Sequence, residues 1–388
     1  MHAIVMVLTG IAVGSAALDI VVFLLLARRL SALGVQPPES ARLRATGVLG
    51  AFVATAVFAA FRAIALAVVG ISIFGIMRVL FVELALGVPL AGTFVLLAGR
   101  VPAPLSGKLK PTAAARVCAV LMLAPAPLAF VAVFVEPQRL VVERVDVPVA
   151  GMQQNAPPFR IAVLADLQFR YITEHEREAV RLALADHPDI IVVPGDIFEG
   201  SHAEYLEERT ALRELLSPLS APGGVFLIEG DHDEARELAD LVAGTQIRFL
   251  QDEVATTSVR GTKIAIAGLG ISYGSASSRS ALHALTASEA DIRLVLVHRP
   301  DAVFVLPEPS NVDLTIAGHT HGGQVQIPFF GPLITLSHVP RKSAGGGLTE
   351  VQGHRLYVSR GVGMERNLAP PIRFQCPPEV TQLQFTPR

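Results

Sequence analysis

Five short aliphatic runs in this chain each end in a carboxylate or an imidazole. They are FRIAVLAD ending at Asp166, DIIVVPGD ending at Asp196, GVFLIEGDH ending at Asp231 and His232, DIRLVLVH ending at His298, and VDLTIAGHTH ending at His319 and His321. One aspartate after a strand is ordinarily a helix cap or a turn residue. Five such endings, all Asp or His, call for another reason, and these side chains together are ligands for divalent cations of the Mn, Fe or Zn kind. A bound cation of this kind can act as a Lewis acid and activate water.

The elements that must position these residues follow from the runs themselves. Continuous apolar stretches of this length suit strands buried on both faces. Helical stretches fit between them, as at Glu174 to Ala185 and Ala203 to Leu216. The pattern is that of a layered α/β domain, with the Asp and His residues gathered at the carboxyl ends of its strands, where such folds bind ligands. The segment GMQQNAPP, Gly151 to Pro158, reads as a linker. The divisions expected are a membrane region at 1–136, a linker at 137–158 and the α/β domain at 159–388.

Four motifs then resemble one family in order and spacing: GDIFEG (195–200), EGDHDE (229–234), VHRPD (297–301) and GHTHGGQV (318–325). They look like the calcineurin-like metallophosphoesterases, and YVSRGVG followed by PIRFQCPPEV (Tyr357 to Val380) resembles the membrane-associated bacterial branch. GHTHGGQ is the most specific element, and the resemblance covers Phe159 to the C-terminus. It implies a β-sandwich flanked by helices and a pair of metal ions. Carried over, Asp166 and His321 would bind the first ion, Asp196 would bridge, and Asp231, His298 and His319 would bind the second. His232 resembles the family histidine that stabilises phosphoryl oxygens or protonates the leaving group.

Two positions depart from the family pattern. Its first motif is Asp-x-His, but here Gln168 stands where the imidazole would, a neutral amide that weakens the first site. In the third motif the usual Asn is Asp231. Two divalent ions with Asp166, Asp196 and Asp231 leave a single positive charge, so a trivalent ion or reduced Lewis acidity is expected. Glu199 stands where many relatives have Asp and is expected behind the ligands. Arg360 could reach a substrate phosphate, since its planar fork matches phosphate oxygens, or form a structural ion pair. His175, His283, His338 and His354 read as helix, loop or strand positions without a role at the site.

The remainder of the chain is apolar. The 388 residues are 51% hydrophobic and 17% charged, carry a formal charge of -2 and contain 2 cysteines. That excludes a disordered chain, a disulfide scaffold and a basic nucleic-acid binder. Ala3 to Ala27, 47–68, 77–98 and Val117 to Val135 each approach the roughly 20 apolar residues that cross a bilayer. About four spans are expected, the middle two forming a hairpin that turns near Gly70 to Gly75, with Arg62 and Glu83 at similar depth. Arg28, Arg29, Arg42 and Arg44 in one loop, and Arg100, Lys108, Lys110 and Arg116 in another, place both loops in the cytoplasm. The α/β domain then lies outside a multi-pass inner-membrane anchor. The function expected is hydrolysis of a phosphodiester or pyrophosphate in a lipid-like or nucleotide substrate. The alternative is a non-catalytic metal-binding scaffold.

Overall fold

The computed structural model describes residues 72–90, 93, 120–308, 310–366 and 369–388. The chain divides into two units, 1–130 with 367–370, and 131–366 with 371–388. In the first, helix α1 (Ile73–Val82) starts at Ser72, whose hydroxyl accepts the Gly75 amide at 2.9 Å. It runs on through a π-helical turn at Glu83–Gly87. Ile73–Leu90 is 18 residues of mean hydropathy 2.0, long and apolar enough to cross a bilayer, and the single such helix among the described residues. The hairpin turn expected at Gly70 to Gly75 needs correction, because Gly75 is already inside α1. Helix α2 (Pro125–Phe130) begins at the proline pair, since a proline fits the first turn of a helix and interrupts one further in. The expected spans at 3–27 and 47–68, the start of the fourth, Arg62 and Cys118 lie outside the described residues.

The second unit is built on two six-stranded sheets. The first contains β1 (Val141–Val149), β2 (Phe159–Val163), β3 (Ile190–Val193), β4 (Val225–Leu227), β5 (Ile247–Phe249) and β14 (Glu379–Pro387). Its order is β1-β14-β2-β3-β4-β5, with β2 to β5 parallel. The second contains β6 (Glu253–Val259), β7 (Thr262–Gly268), β8 (Ile292–Leu296), β9 (Leu314–Ala317), β12 (Gly347–Val351) and β13 (His354–Val358), in the order β12-β13-β9-β8-β7-β6. A small hairpin of β10 (Gln326–Ile327) and β11 (Gly331–Pro332) stands apart.

Side-chain alternation along each strand decides the layering. Ile161 and Val163 of β2 point into a core shared with Ile264, Ile266, Leu294 and Leu314 of the other sheet. Ala162, with Leu164 just beyond the strand, packs the other way, with residues of α3 (Glu174–Ala185), α4 (His202–Leu216) and α5 (Ala235–Val242). On the far side Ala265, Val295 and Val297 pack with Leu282 and Leu285 of α6 (Ala276–Thr286). Both sheets are thus apolar on two faces, and the domain is a β-sandwich flanked by helices. Helices α3 and α4 each start at a capping box, Thr173 with Glu176 and Ser201 with Glu204.

The expected linker at 137–158 also needs correction, for it contains β1, which pairs in parallel with β14 over nine residues from Val141↔Glu379 to Val149↔Pro387. An edge strand has one face and one side in water, so its polar alternation reads as linker in the sequence. Beneath this edge Glu379 is buried, and it accepts from the Tyr357 hydroxyl at 3.1 Å and the Arg360 amide at 3.0 Å. The Arg360 guanidinium joins Glu379 to Glu143 of β1. Burial, and then repulsion from Glu379, raises Glu143 from 4.5 to about 7. A carboxyl raised on folding stabilises the fold below its ordinary value, and that contribution is lost as pH rises through the folded value. Hydrogen-exchange protection of β1 and β14, corrected for intrinsic rates, should therefore fall between about pH 5 and pH 8, and Glu143→Gln should flatten that fall. A protection profile in the parent chain independent of pH would contradict this.

Candidate metal centre

The five sequence runs form β2, β3, β4, β8 and β9, and their terminal residues converge at one edge although the strands belong to two sheets. Ligand atoms of Asp166, Asp196 and His321 lie within 4.8 Å of one another, as do those of Asp231, His298 and His319. His298 Nε2 is 3.3 Å from Asp196 Oδ2 and 3.8 Å from Asp231 Oδ2, so Asp196 lies where the two groups adjoin. Asp166, Asp196, His298 and His321 are buried, whereas Asp231 and His319 are partly open to solvent.

The backbone is bent to achieve this convergence. Asp166, Gln168, Asp196, His319 and His321 all have left-handed φ, between 37° and 71°, at a cost of about 1 kcal/mol each. Two glycines permit the close approach: a Cβ on Gly230 would stand 2.2 Å from Asp196 Oδ1, and one on Gly318 2.5 Å from Asp166 Oδ2. Hydrogen bonds then fix the carboxylates. Asp196 Oδ1 accepts the His232 amide at 2.8 Å, and Asp166 Oδ1 the His319 amide at 2.9 Å. Asp233 accepts from the amides of Asp196, Ile197 and Gly230 at 2.7 to 2.9 Å, joining the loops after β3 and β4. His298 donates Nδ1–H to the Pro194 carbonyl at 2.8 Å, which aims Nε2 at the carboxylates.

This donor set suits cations. Asp166 Oδ2, His321 Nδ1 and Gln168 Oε1 are buried without a hydrogen-bond partner, an arrangement that costs about 1–3 kcal/mol per atom unless something else fills the coordination. Burial, with Arg373 beyond it, holds the His321 imidazole well below its ordinary value, which favours the neutral ring that binding a cation would require. Burial pushes the Asp166 carboxyl up to about 6. Burial would raise Asp196 too, but His298 beside it carries it down to about 2. Burial likewise opposes ionisation of Asp231, and hydrogen bonds from His319 and Arg299 outweigh it, holding Asp231 below the usual carboxylate range.

Both departures from the expected pattern have a neighbour that sequence reasoning missed. Gln168 is fully buried and donates Nε2–H to Glu365 Oε2 at 3.2 Å, while the same oxygen meets His232 Nε2 at 3.1 Å. Glu365 is itself placed by its amide, which donates to Gln324 Oε1 at 2.6 Å. Its signal was faint, two residues beyond YVSRGVG in a segment with no ligand-like spacing. Asp231 is gripped by Arg299, whose Nε reaches Oδ1 and Oδ2 at 2.9 and 3.0 Å and whose Nη2 reaches Oδ1 at 2.6 Å. Arg299 follows His298 in VHRPD, where nothing in the sequence ties it to Asp231. Its guanidinium places a positive charge beside the negative one that Asp231 adds.

Other expectations sort more simply. Arg360 does not face the ligands as a phosphate contact: its guanidinium pairs with Glu143 and Glu379, and the ion-pair alternative holds. Glu199 is buried behind the edge and accepts the Arg366 amide at 3.2 Å. His175 meets the Val362 carbonyl at 3.2 Å, His338 pairs with Asp301, and His354 is buried in β13. The hydrogen bond to Glu365 raises the His232 imidazole from 6.5 to about 9. In the metal-free chain, Glu365→Gln should bring the His232 titration, followed by NMR of its ring, back toward 6.5. A titration left near 9 would assign the proton to the aspartates alone.

Comparison with known proteins agrees with this geometry. The sequence model of the calcineurin-like phosphoesterase family matches residues 159–323. YkuE of Bacillus subtilis, an uncharacterized metallophosphoesterase, is 32% identical over 231 residues, which cover 58% of this chain and 77% of YkuE. Phosphodiesterase YaeI of Escherichia coli is 32% identical, covering 61% and 85%. The UDP-2,3-diacylglucosamine pyrophosphatase LpxG of Chlamydia trachomatis is 25% identical, covering 63% and 89%. With the relatives matched over most of their length and the family's motifs meeting at one sheet edge, the chain belongs to the calcineurin-like metallophosphoesterases, hydrolases of phosphoester bonds.

Proposed function

We propose that the protein is a membrane-anchored phosphohydrolase that cleaves a phosphodiester or pyrophosphate in a lipid-like or nucleotide substrate on the outer side of the membrane. The observation that carries the hydrolytic reading is the pair of adjoining ligand groups, Asp166–Asp196–His321 and Asp231–His298–His319, with His232 beside them. Support for a diester or pyrophosphate comes from the printed activities of YaeI and LpxG. Support for a lipid-like substrate comes from the LpxG name and from the apolar helix Ile73–Leu90.

In this reading Asp166 and His321 would hold one cation, Asp231, His298 and His319 would hold the other, Asp196 would be shared between them, and Gln168 Oε1 would be available to the first. Cations of the Mn, Fe or Zn class supply Lewis acidity toward the phosphate and activate water at neutral pH. The protein then has three tasks. Asp196, fixed by the His232 amide, keeps the two groups in register. Arg299 holds Asp231 in one rotamer and offsets its charge. His232, kept protonated by Glu365, donates a hydrogen bond to a phosphoryl oxygen and delivers its proton to the leaving oxygen as the phosphorus–oxygen bond breaks; the attacking water adds its oxygen to phosphorus and releases a proton to solvent, from which His232 is reprotonated.

The full chain in detergent, assayed with Mn, Fe or Zn, should hydrolyse bis-p-nitrophenyl phosphate faster than p-nitrophenyl phosphate. Asp196→Ala should abolish turnover, and His232→Ala should lower kcat by about 100-fold or more. Folded protein that is inactive with every metal, and that Gln168→His then activates, would favour the non-catalytic scaffold instead. For the outward placement, a reporter fused after Arg388 should be active only outside the cytoplasm. Activity inside would overturn the four-span topology without touching the hydrolase reading.

A further inference from the structure

The turn that carries His321 leads straight into a surface unlike the rest of the domain. Across the β10–β11 hairpin and the loop behind it, Ile327, Phe329, Phe330, Leu333 and Leu336 are all exposed, and Phe329 is wholly in solvent at 111% of its reference area. Phe329 also sits at φ 66°, a turn conformation that glycine or asparagine fills more cheaply. Neither burial nor turn chemistry therefore accounts for an aromatic ring at the tip. The base of the hairpin is firm: Gln326 donates to the carbonyls of Gly322 at 3.1 Å and Gly345 at 2.7 Å, and its amide donates to Phe374 at 2.9 Å. An apolar tip is thus held on a rigid mount beside a residue of the metal centre.

Two exposed cations accompany this tip. Arg341 lies over the Phe330 ring, 4.2 Å from its centroid, and Lys342 follows it, both exposed. Between Asp313 and Glu350 the sequence has no acidic residue, in a chain whose net charge is -2. The carboxylate that meets the end of this segment, Asp301, is buried and bound to Ser337 and His338. Exposed aromatic rings beside exposed cations match the boundary of an anionic bilayer, where rings sit at the headgroup level and Lys and Arg are drawn to acidic lipid. The same chain carries a helix long enough to cross a bilayer, so a lipid surface is within its reach.

We propose that the segment from Ile327 to Leu336, with Arg341 and Lys342, docks on the surface of an anionic phospholipid bilayer. Seated there, it holds the metal-ligand edge at the level of lipid headgroups. This surface is independent of the hydrolase reading and is tested without turnover. The chain has no tryptophan, so Phe329→Trp places a single reporter at the tip. The full-length variant is reconstituted in phosphatidylcholine vesicles with and without phosphatidylglycerol, some with brominated acyl chains. Blue-shifted emission and loss of roughly half or more of it to brominated lipid, strongest with phosphatidylglycerol, is the expected result. Water-like, unquenched emission in all vesicles would overturn the proposal. So would a blue shift without bromine quenching, which would mean that protein covers the ring. Arg341→Gln with Lys342→Gln should abolish the preference for phosphatidylglycerol, and an unchanged preference would overturn the electrostatic part.

Discussion

Mutual repulsion among buried carboxylates is the constraint around which this domain is arranged. Asp166, Asp196, Asp231 and Asp233 come together at one sheet edge, the first two out of water, where like charges cannot all stay ionised without compensation. Compensation comes from three directions. Backbone amides point at the carboxylates from the turns after β3, β4 and β9. Imidazoles of His298 and His319 stand between them, and the Arg299 guanidinium closes the open side. The left-handed turns exist because only they bring amide and carboxylate together in so small a volume. Two packed hydrophobic sheets hold those turns against their own strain.

How much of this was legible in the sequence depended on whether a residue's role is local. Strands β2, β3, β4, β8 and β9 were readable because burial on both faces leaves an uninterrupted aliphatic run, and α3 and α4 because caps and periodicity mark them. The ligand-type residues were readable from the same runs, since each ends one. Strand β1 was not, because an edge strand shows polar alternation and its partner β14 is more than two hundred residues away. Glu365 and Arg299 were missed for a similar reason. Their meaning lies in what they touch across the chain, Gln168 and His232 for one and Asp231 for the other, and no spacing rule links them. Arg360 shows the converse. Its motif suggested a phosphate, but Glu143 and Glu379 occupy its guanidinium.

The two departures from the family pattern therefore read differently once their surroundings are known. A glutamine in place of histidine loses a ligand nitrogen, but it also supplies an amide that shares one carboxylate oxygen with His232. The substitution thus couples the first ligand group to the histidine beside the second. An aspartate in place of asparagine adds a charge, and an arginine that follows β8 of the other sheet supplies the opposite one. Each change has its counterpart in the same pocket, which is what a retuned site looks like and not what piecemeal loss would leave.

The position of β14 has a consequence for how the chain is made. Because β14 lies between β1 and β2, the first sheet cannot close until Glu379–Pro387 has left the ribosome. Until then β2 presents an unpaired edge and β1 has nowhere to dock, so the nascent domain exposes strand edges during synthesis. Glu379, Arg360 and Glu143 meet only at that last step, which also seats the loop carrying Gly361, packed against Asp166. Assembly of the edge that gathers the Asp and His side chains in this way waits for β14, and a chain broken off before Glu379 would have those side chains without the geometry.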